Sequence, residues 1–153
     1  MSRLEKYKLN LSRHKSDFVS ACFEIIQLPL PDDAEYAGLY YVNDGRSLIP
    51  FAMAWMTLDM SIDTCYPSPL SRFTDELWEW SDEDLDEGVH EDAEEYLFQW
   101  ASDCWNEAGG EKYSPLFVLY DQGSMDIYDL CTLDELTDND LEQRLKNRTS
   151  QDI

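Results

Sequence analysis

Positions 75 to 95 hold 12 acidic residues in 21, with no lysine or arginine among them. They are Asp75, Glu76, Glu79, Asp82, Glu83, Asp84, Asp86, Glu87, Glu91, Asp92, Glu94 and Glu95, and Trp78 and Trp80 stand among them. Carboxylates at this density have three chemical uses: acid–base catalysis by a pair, coordination of a hard cation, or docking on a basic surface. Paired catalysis needs two acids at a fixed separation whose pKa values are pushed apart, usually in an aromatic-lined cleft. Trp78, Trp80, Trp100 and Trp105 offer such a lining, but nothing singles out one pair among 33 acids. A calcium loop of the EF-hand type needs glycine at its sixth position and a bidentate glutamate at its twelfth. Counted from Asp82, those positions hold Glu87 and Ala93, so the tract fails both requirements.

Other catalytic signatures are missing. The chain has no phosphate-binding GxxxxGK[ST], no GxGxxG, no GxSxG and no HExxH. His14 lies in a basic stretch, and His90 reads as a helix-surface histidine inside the acidic tract. Cys22, Cys65, Cys104 and Cys131 are far apart, without a CxxC, and are expected as four reduced thiols. No metal, no cofactor and no enzymatic activity are therefore expected.

Docking is the use that remains, and the charge distribution supports it. Residues 1–15 carry +4, residues 144–153 carry +2, and residues 16–143 carry -28, for a net charge of -22. Basic ends around an acidic middle suggest a directed field. That field repels nucleic-acid backbones and anionic membranes, so direct nucleic-acid or membrane binding is excluded. It attracts basic proteins and raises their encounter rate by about 10 to 1,000-fold at low salt. The expected partner-binding residues are Trp78, Trp80, Asp82, Glu83, Asp84, Asp86, Glu87, Glu91, Asp92 and Glu95, because aromatics ringed by charge have the composition of an interface hot spot. The plainer alternative is a solvated acidic loop kept for solubility. Against it, Glu79 and Glu83, Glu83 and Glu87, and Glu91 and Glu95 are like-charge i,i+4 pairs that cost a helix a few tenths of a kcal/mol each.

The elements that must position this tract follow from periodicity. Residues 1–15 read as a basic, poorly patterned arm or a short first strand around residues 7–11. A helix capped at Ser16 or Asp17 places Phe18, Ala21, Cys22 and Ile25 on one face and stops before Pro29 and Pro31. Residues 35–42 read as a strand, Asn43-Asp44-Gly45 as a hairpin turn, and residues 47–55 as the returning strand, with Pro50 marking an edge or a bulge. Met53, Met56 and Met60 are core filling, or a stripe if that segment is helical. Residues 61–73, with Pro67 and Pro69, read as a loop. A helix over 89–106 has Val89, Ala93, Tyr96, Leu97, Trp100, Ala101 and Cys104 on its apolar face, and Gly109-Gly110 ends it. Residues 114–120 form a buried-type strand, Asp121 to Ser124 a turn, and residues 125–131 a returning strand. The Thr132/Glu135 spacing then predicts a capped helix over 133–147, interrupted near Thr137-Asp138. The expected fold is one α+β domain over 1–153, with a mainly antiparallel sheet of about four to five strands flanked by helices. Without an apolar stretch of about 18 residues or a secretory leader, the chain is expected in the cytoplasm.

The layout also resembles a family. A first helix carries Phe18, Phe23 and Ile26, and a hairpin carries Tyr36-Ala37-Gly38-Leu39-Tyr40-Tyr41. A Trp-rich acidic segment, Leu77-Trp78-Glu79-Trp80, leads to a long helix, and an apolar strand, Leu116-Phe117-Val118-Leu119-Tyr120, runs into Asp121. This order resembles the small acidic immunity proteins of bacterial polymorphic and contact-dependent toxin systems. The resemblance implies a cytoplasmic antidote that binds a cognate toxin domain and blocks or distorts its active site. A second reading is a DNA-mimic inhibitor of the anti-restriction or anti-CRISPR type, whose carboxylates imitate phosphate spacing as well as sign.

Overall fold

A computed structural model of the chain describes residues 2–32, 34–43, 48–57, 62–66, 80–113, 115–121 and 123–151. Helix α1 (Arg3–Arg13) starts on a capping box, in which the Glu5 N–H donates to the Ser2 hydroxyl at 3.1 Å and the Ser2 N–H donates to the Glu5 carboxylate at 3.2 Å. Two donors that a helix start leaves orphaned are thereby satisfied. Leu4, Tyr7 and Leu11 follow at helical spacing, and Tyr7 and Leu11 are buried. The expected arm or first strand is corrected to a helix, because cap and stripe agree with one another. Helix α2 (Lys15–Ile26) buries Phe18, Ala21, Cys22 and Ile25, as the spacing predicts.

The strands are β1 (Tyr36–Asn43), β2 (Leu48–Met56), β3 (Ile62–Tyr66), β4 (Phe117–Asp121) and β5 (Ile127–Asp129), in the order β3-β2-β1-β4-β5. The fold is α+β. Its sheet is mixed rather than mainly antiparallel, because β1 and β4 run parallel at the centre while the other three pairings are antiparallel. Between β3 and β4 the chain crosses over through α3 (Asp82–Asp86) and α4 (Val89–Glu107), and a parallel neighbour requires such a crossover. All five residues of β4 are buried, as suits a central parallel strand covered on both faces. At Gly38 a Cβ would lie 2.7 Å from Val118 Cγ2 and 2.8 Å from the Val118 carbonyl oxygen, so this pair of strands approaches closely only because the glycine has no side chain.

Pro50 lies on an interior strand and not on an edge. The β1–β2 register slips between Tyr40 and Val42, and Pro50 falls in that bulge, where no ladder donor is needed. The expected loop over 61–73 contains β3, which pairs Tyr66 with Met53 and Cys65 with Ala54. Ile62, Thr64 and Tyr66 are residue types that favour strands, a local signal outweighed in the sequence by the prolines at 67 and 69. Met56 is buried on a strand, so the helical methionine stripe does not form. Asp44, Gly45, Met60, Pro67, Pro69 and Trp78 lie outside the described residues.

Alternation along the strands divides the core between the two faces of the sheet. Ala37, Leu39, Tyr41, Phe117 and Leu119 face α1, α2 and α4, while Tyr36, Ala54, Met56, Val118 and Tyr120 face the side covered by Leu136 and Leu141. The returning strand expected over 125–131 is shorter, because Met125 takes a φ of 65° and residues 130–132 turn. The last helix is α5 (Asp138–Gln151). Its cap uses the second of two successive boxes, Thr137/Asp140 rather than Thr132/Glu135: the Asp140 N–H donates to the Thr137 hydroxyl at 3.2 Å and the Thr137 N–H donates to Asp140 at 3.1 Å. Thr132 and Glu135 do not start a helix because Glu135 bridges to Tyr128 and the Leu136 N–H donates to the Ile127 carbonyl, which holds that stretch extended against β5.

Helix α4 ends before Gly109, whose φ of 96° only glycine adopts without strain. Gly110 is constrained by contact, since a Cβ there would lie 2.1 Å from Trp105 Nε1. That indole cannot move aside, because it is fully buried, stacked on Phe117 at 4.1 Å and edge-on to Tyr113 at 5.7 Å. Gly110→Ala is expected to destabilise the protein by about 3 kcal/mol through overpacking. An unchanged urea midpoint would contradict this packing.

Candidate protein-docking face

The acidic tract is built from its anchors outward. Trp80, 2% exposed, is packed edge-to-face against Tyr7 at 5.8 Å and His90 at 6.3 Å. Trp80 thus lies in the core and is not an exposed hot-spot aromatic, which corrects its expected place on the docking surface. His90 is likewise buried, not on the helix surface. Ser81, next in the chain, caps α3. The Ser81 N–H and hydroxyl donate to Asp84 Oδ2 at 2.9 and 2.7 Å, and the Asp84 N–H returns to the hydroxyl at 3.2 Å. These bonds, with Arg3 adding its charge, hold the Asp84 carboxyl below the usual carboxylate range. Asp84 is therefore occupied with the fold. Gly88, at a φ of 75°, turns the chain from α3 into α4.

The remaining singled-out acids face water. Asp82, Glu83, Asp86 and Glu87 are exposed on and just after α3, and Glu91, Asp92 and Glu95 are exposed on the first two turns of α4. Ala93, Leu97, Trp100, Ala101 and Cys104 fix the opposite side of α4 in the core, with Val89 and Tyr96 at its margin. The amphipathic pattern of α4 thus determines which carboxylates point outward.

The basic ends are folded back onto the acidic middle instead of forming separate poles. Arg3 Nη1 is 3.3 Å from Asp84, Lys15 Nζ is 3.3 Å from Glu107, and Lys8 Nζ stands 5.1 Å above the Tyr96 ring. Near the other terminus Arg144 pairs with Asp129 and, at 3.9 Å, with Asp134. Sequence reasoning missed these pairings, which join residues far apart in the chain. The exposed pairs add little stability singly, whereas the Asp129 carboxylate that Arg144 meets is buried; of these cations Arg3 and Lys8 border the acidic face on its α1 side.

A second polar cluster lies where the parallel strands β1 and β4 end, the region where sheets with parallel strands often place ligands. The Tyr41 hydroxyl donates to Asp121 Oδ2 at 3.0 Å, and Asp121 Oδ1 accepts from the N–H groups of Gly123 and Ser124 at 2.9 and 3.3 Å. Both oxygens of the buried carboxylate are engaged, so the cluster locks the turn after β4. Burial raises the Tyr7 and Tyr41 hydroxyls, with the Glu94 charge adding to both, and pushes Tyr128 up to about 12. Raised folded-state values mean that the unfolded chain loses these protons first, near pH ~10. Stability is therefore full below that pH and falls as pH rises through the raised folded values, by about 1.4 kcal/mol per pH unit for each of the buried Tyr7 and Tyr41 while it stays protonated in the fold, and by less for the half-buried Tyr128, where solvent screens the charge. Urea midpoints measured from pH 9 to 11.5 check this, and a flat profile would contradict it.

Cys22, Cys104 and Cys131 are thiols and form no disulfide. Burial pushes Cys104 up to about 12, as expected of a core thiol rather than a nucleophile. Among the described residues no group of three or more His, Cys, Asp or Glu side chains is placed to hold a metal, and no helix is long and apolar enough to cross a membrane. The arrangement can hold cationic groups at a rigid surface. No family model, curated protein or solved structure matches this chain.

Proposed function

We propose that this chain is a non-enzymatic protein-binding inhibitor of the immunity type, acting in the cytoplasm to dock on a basic toxin domain and neutralise it. The observation that carries the reading is the rigid presentation of Asp82, Glu83, Asp86, Glu87, Glu91, Asp92 and Glu95 on one continuous segment, pinned by buried Trp80 at its start and Ala93 and Leu97 within α4. A purely solubilising loop requires no such anchors, whereas a docking face gains from them because less freedom is lost on binding. The carboxylates are bordered by cations within the same stretch, Arg3 at Asp84 and Lys8 over the Tyr96 ring. That favours complementarity to a basic patch over imitation of a phosphate ladder, which would place no cations along its length.

Co-expression with the product of a neighbouring toxin gene tests the reading. The chain is expected to protect the cell and to co-purify with the toxin. Its association rate is expected to fall about tenfold or more between low and physiological salt, as screening shortens the reach of the field. Failure to protect against every adjacent toxin, or an association rate indifferent to salt, would rule the reading out.

A further inference from the structure

We infer that the groove between the α1–α2 corner and α4 is an anchor site for one arginine side chain of the basic partner, an inference that rests on the docking reading above. The groove has a volume of about 220 Å³ and is lined by Ser12, Lys15, Tyr96, Gln99, Trp100 and Asp103. Small-molecule sites usually run from about 300 to 1,000 Å³. The smaller volume suits a single long side chain.

The lining selects the guest by charge and shape. Asp103 is exposed, and Gln99 Nε2 donates to its Oδ1 at 2.9 Å, which fixes the carboxylate at the groove. Lys15 is the one cation among the lining residues, and Glu107, 3.3 Å from its Nζ, balances its charge; Lys8, on the Tyr96 ring at the margin, is a second cation that the guest displaces or avoids by using the other face of the ring. The carboxylate and the surrounding field of a chain at -22 therefore favour a cation and repel an anion.

The aromatic lining distinguishes one cation from another. Tyr96 already holds the Lys8 ammonium 5.1 Å from its ring, and its hydroxyl lies 3.5 Å from that of Ser12. Trp100 is only 7% exposed, and its indole nitrogen is shut off from solvent, so it offers ring carbon rather than a donor. A planar guanidinium can lie on aromatic surface while its N–H groups reach a fixed carboxylate, and a compact, strongly hydrated ammonium does this less well. Arginine is also the charged residue most enriched at interface hot spots. Anchor and tract then have separate roles: Asp82, Asp86, Glu87 and Glu91 draw a basic protein in, and the groove holds one of its arginines.

Titration of the full chain with N-acetyl-arginine methylamide, followed by amide NMR shifts, tests the assignment. Saturable shifts at Tyr96, Gln99, Trp100 and Asp103 are expected, with affinity about tenfold above that for the neutral citrulline analogue and above that for the lysine analogue. Asp103→Asn should abolish the preference over citrulline, and Tyr96→Leu should weaken arginine more than lysine. The groove is not an arginine site if saturation is absent, if citrulline binds equally well, or if Asp103→Asn changes nothing. Lysine reversals at Asp82, Asp86, Glu87 and Glu91 separate the two claims, because they should leave the arginine shifts in place while slowing partner association. Arginine shifts that are absent while salt-dependent partner binding persists would overturn the groove alone.

Discussion

Trp80→Ala is expected to lower stability by about 3–5 kcal/mol, the usual range for removing a buried tryptophan. The indole fills the junction between α1 and α4, meeting Tyr7 and His90 edge-on, and its loss leaves a cavity that neither rigid helix can collapse to fill. The consequence extends to the docking face. Trp80 immediately precedes the Ser81 cap, so without the indole α3 is held to the core by the half-buried Leu85 and the Arg3–Asp84 pair while its carboxylates repel one another. Amide exchange over residues 81–88 should accelerate more than exchange in the sheet. Trp80→Phe, which keeps a ring near Tyr7, should recover about half of the lost stability. If Trp80→Ala kept the wild-type urea midpoint but weakened partner binding, the residue would belong to the interface instead of the core.

Reversing Asp82, Asp86, Glu87 and Glu91 to lysine should slow partner association by about 10 to 100-fold at low salt. Each reversal changes the charge by two, so the variant carries -14 in place of -22. The four side chains are exposed, and the change is expected to leave the thermal midpoint within a few degrees. Dissociation should change much less, because steering acts before contact, and the difference should contract at high salt. Asp84 is left out of the set on structural grounds. Its carboxylate caps α3 and pairs with Arg3, so Asp84→Lys would confound loss of field with loss of the helix start. Stopped-flow association at two ionic strengths makes the measurement, and equal rates for wild type and variant would show that the tract only confers solubility.

Much of the fold is legible in local pattern. Helix α4 is visible because Ala93, Leu97, Trp100, Ala101 and Cys104 recur at helical spacing and Gly109 stops it. The β1–β2 hairpin is visible because its two strands are neighbours in sequence. Helix α1 carried its own signals, the Ser2/Glu5 spacing and the Leu4, Tyr7, Leu11 stripe, but they are masked by a density of basic residues that also suits an unstructured arm. At the last helix, two capping sequences five residues apart are equally good locally, and only the bridge from Tyr128 to Glu135 selects the second.

What the sequence determined by itself is the composition of the face: which segment carries the carboxylates, that no countercharge interrupts them, and which side of α4 must be turned inward. Those properties depend on residue type and helical period, which are local. Only the tertiary structure decided that Trp80 and His90 are buried, that Asp84 is spent on a cap and on Arg3, that α1 lies against the acidic helix with Lys8 on Tyr96, and that Lys15 at the start of α2 meets Glu107. It also decided the parallel pairing of β1 with β4 across 80 positions of sequence, on which the placement of α4 over the sheet depends. Contacts of that range are set by how apolar faces and charges find partners in three dimensions, and the local pattern of neither partner specifies the other.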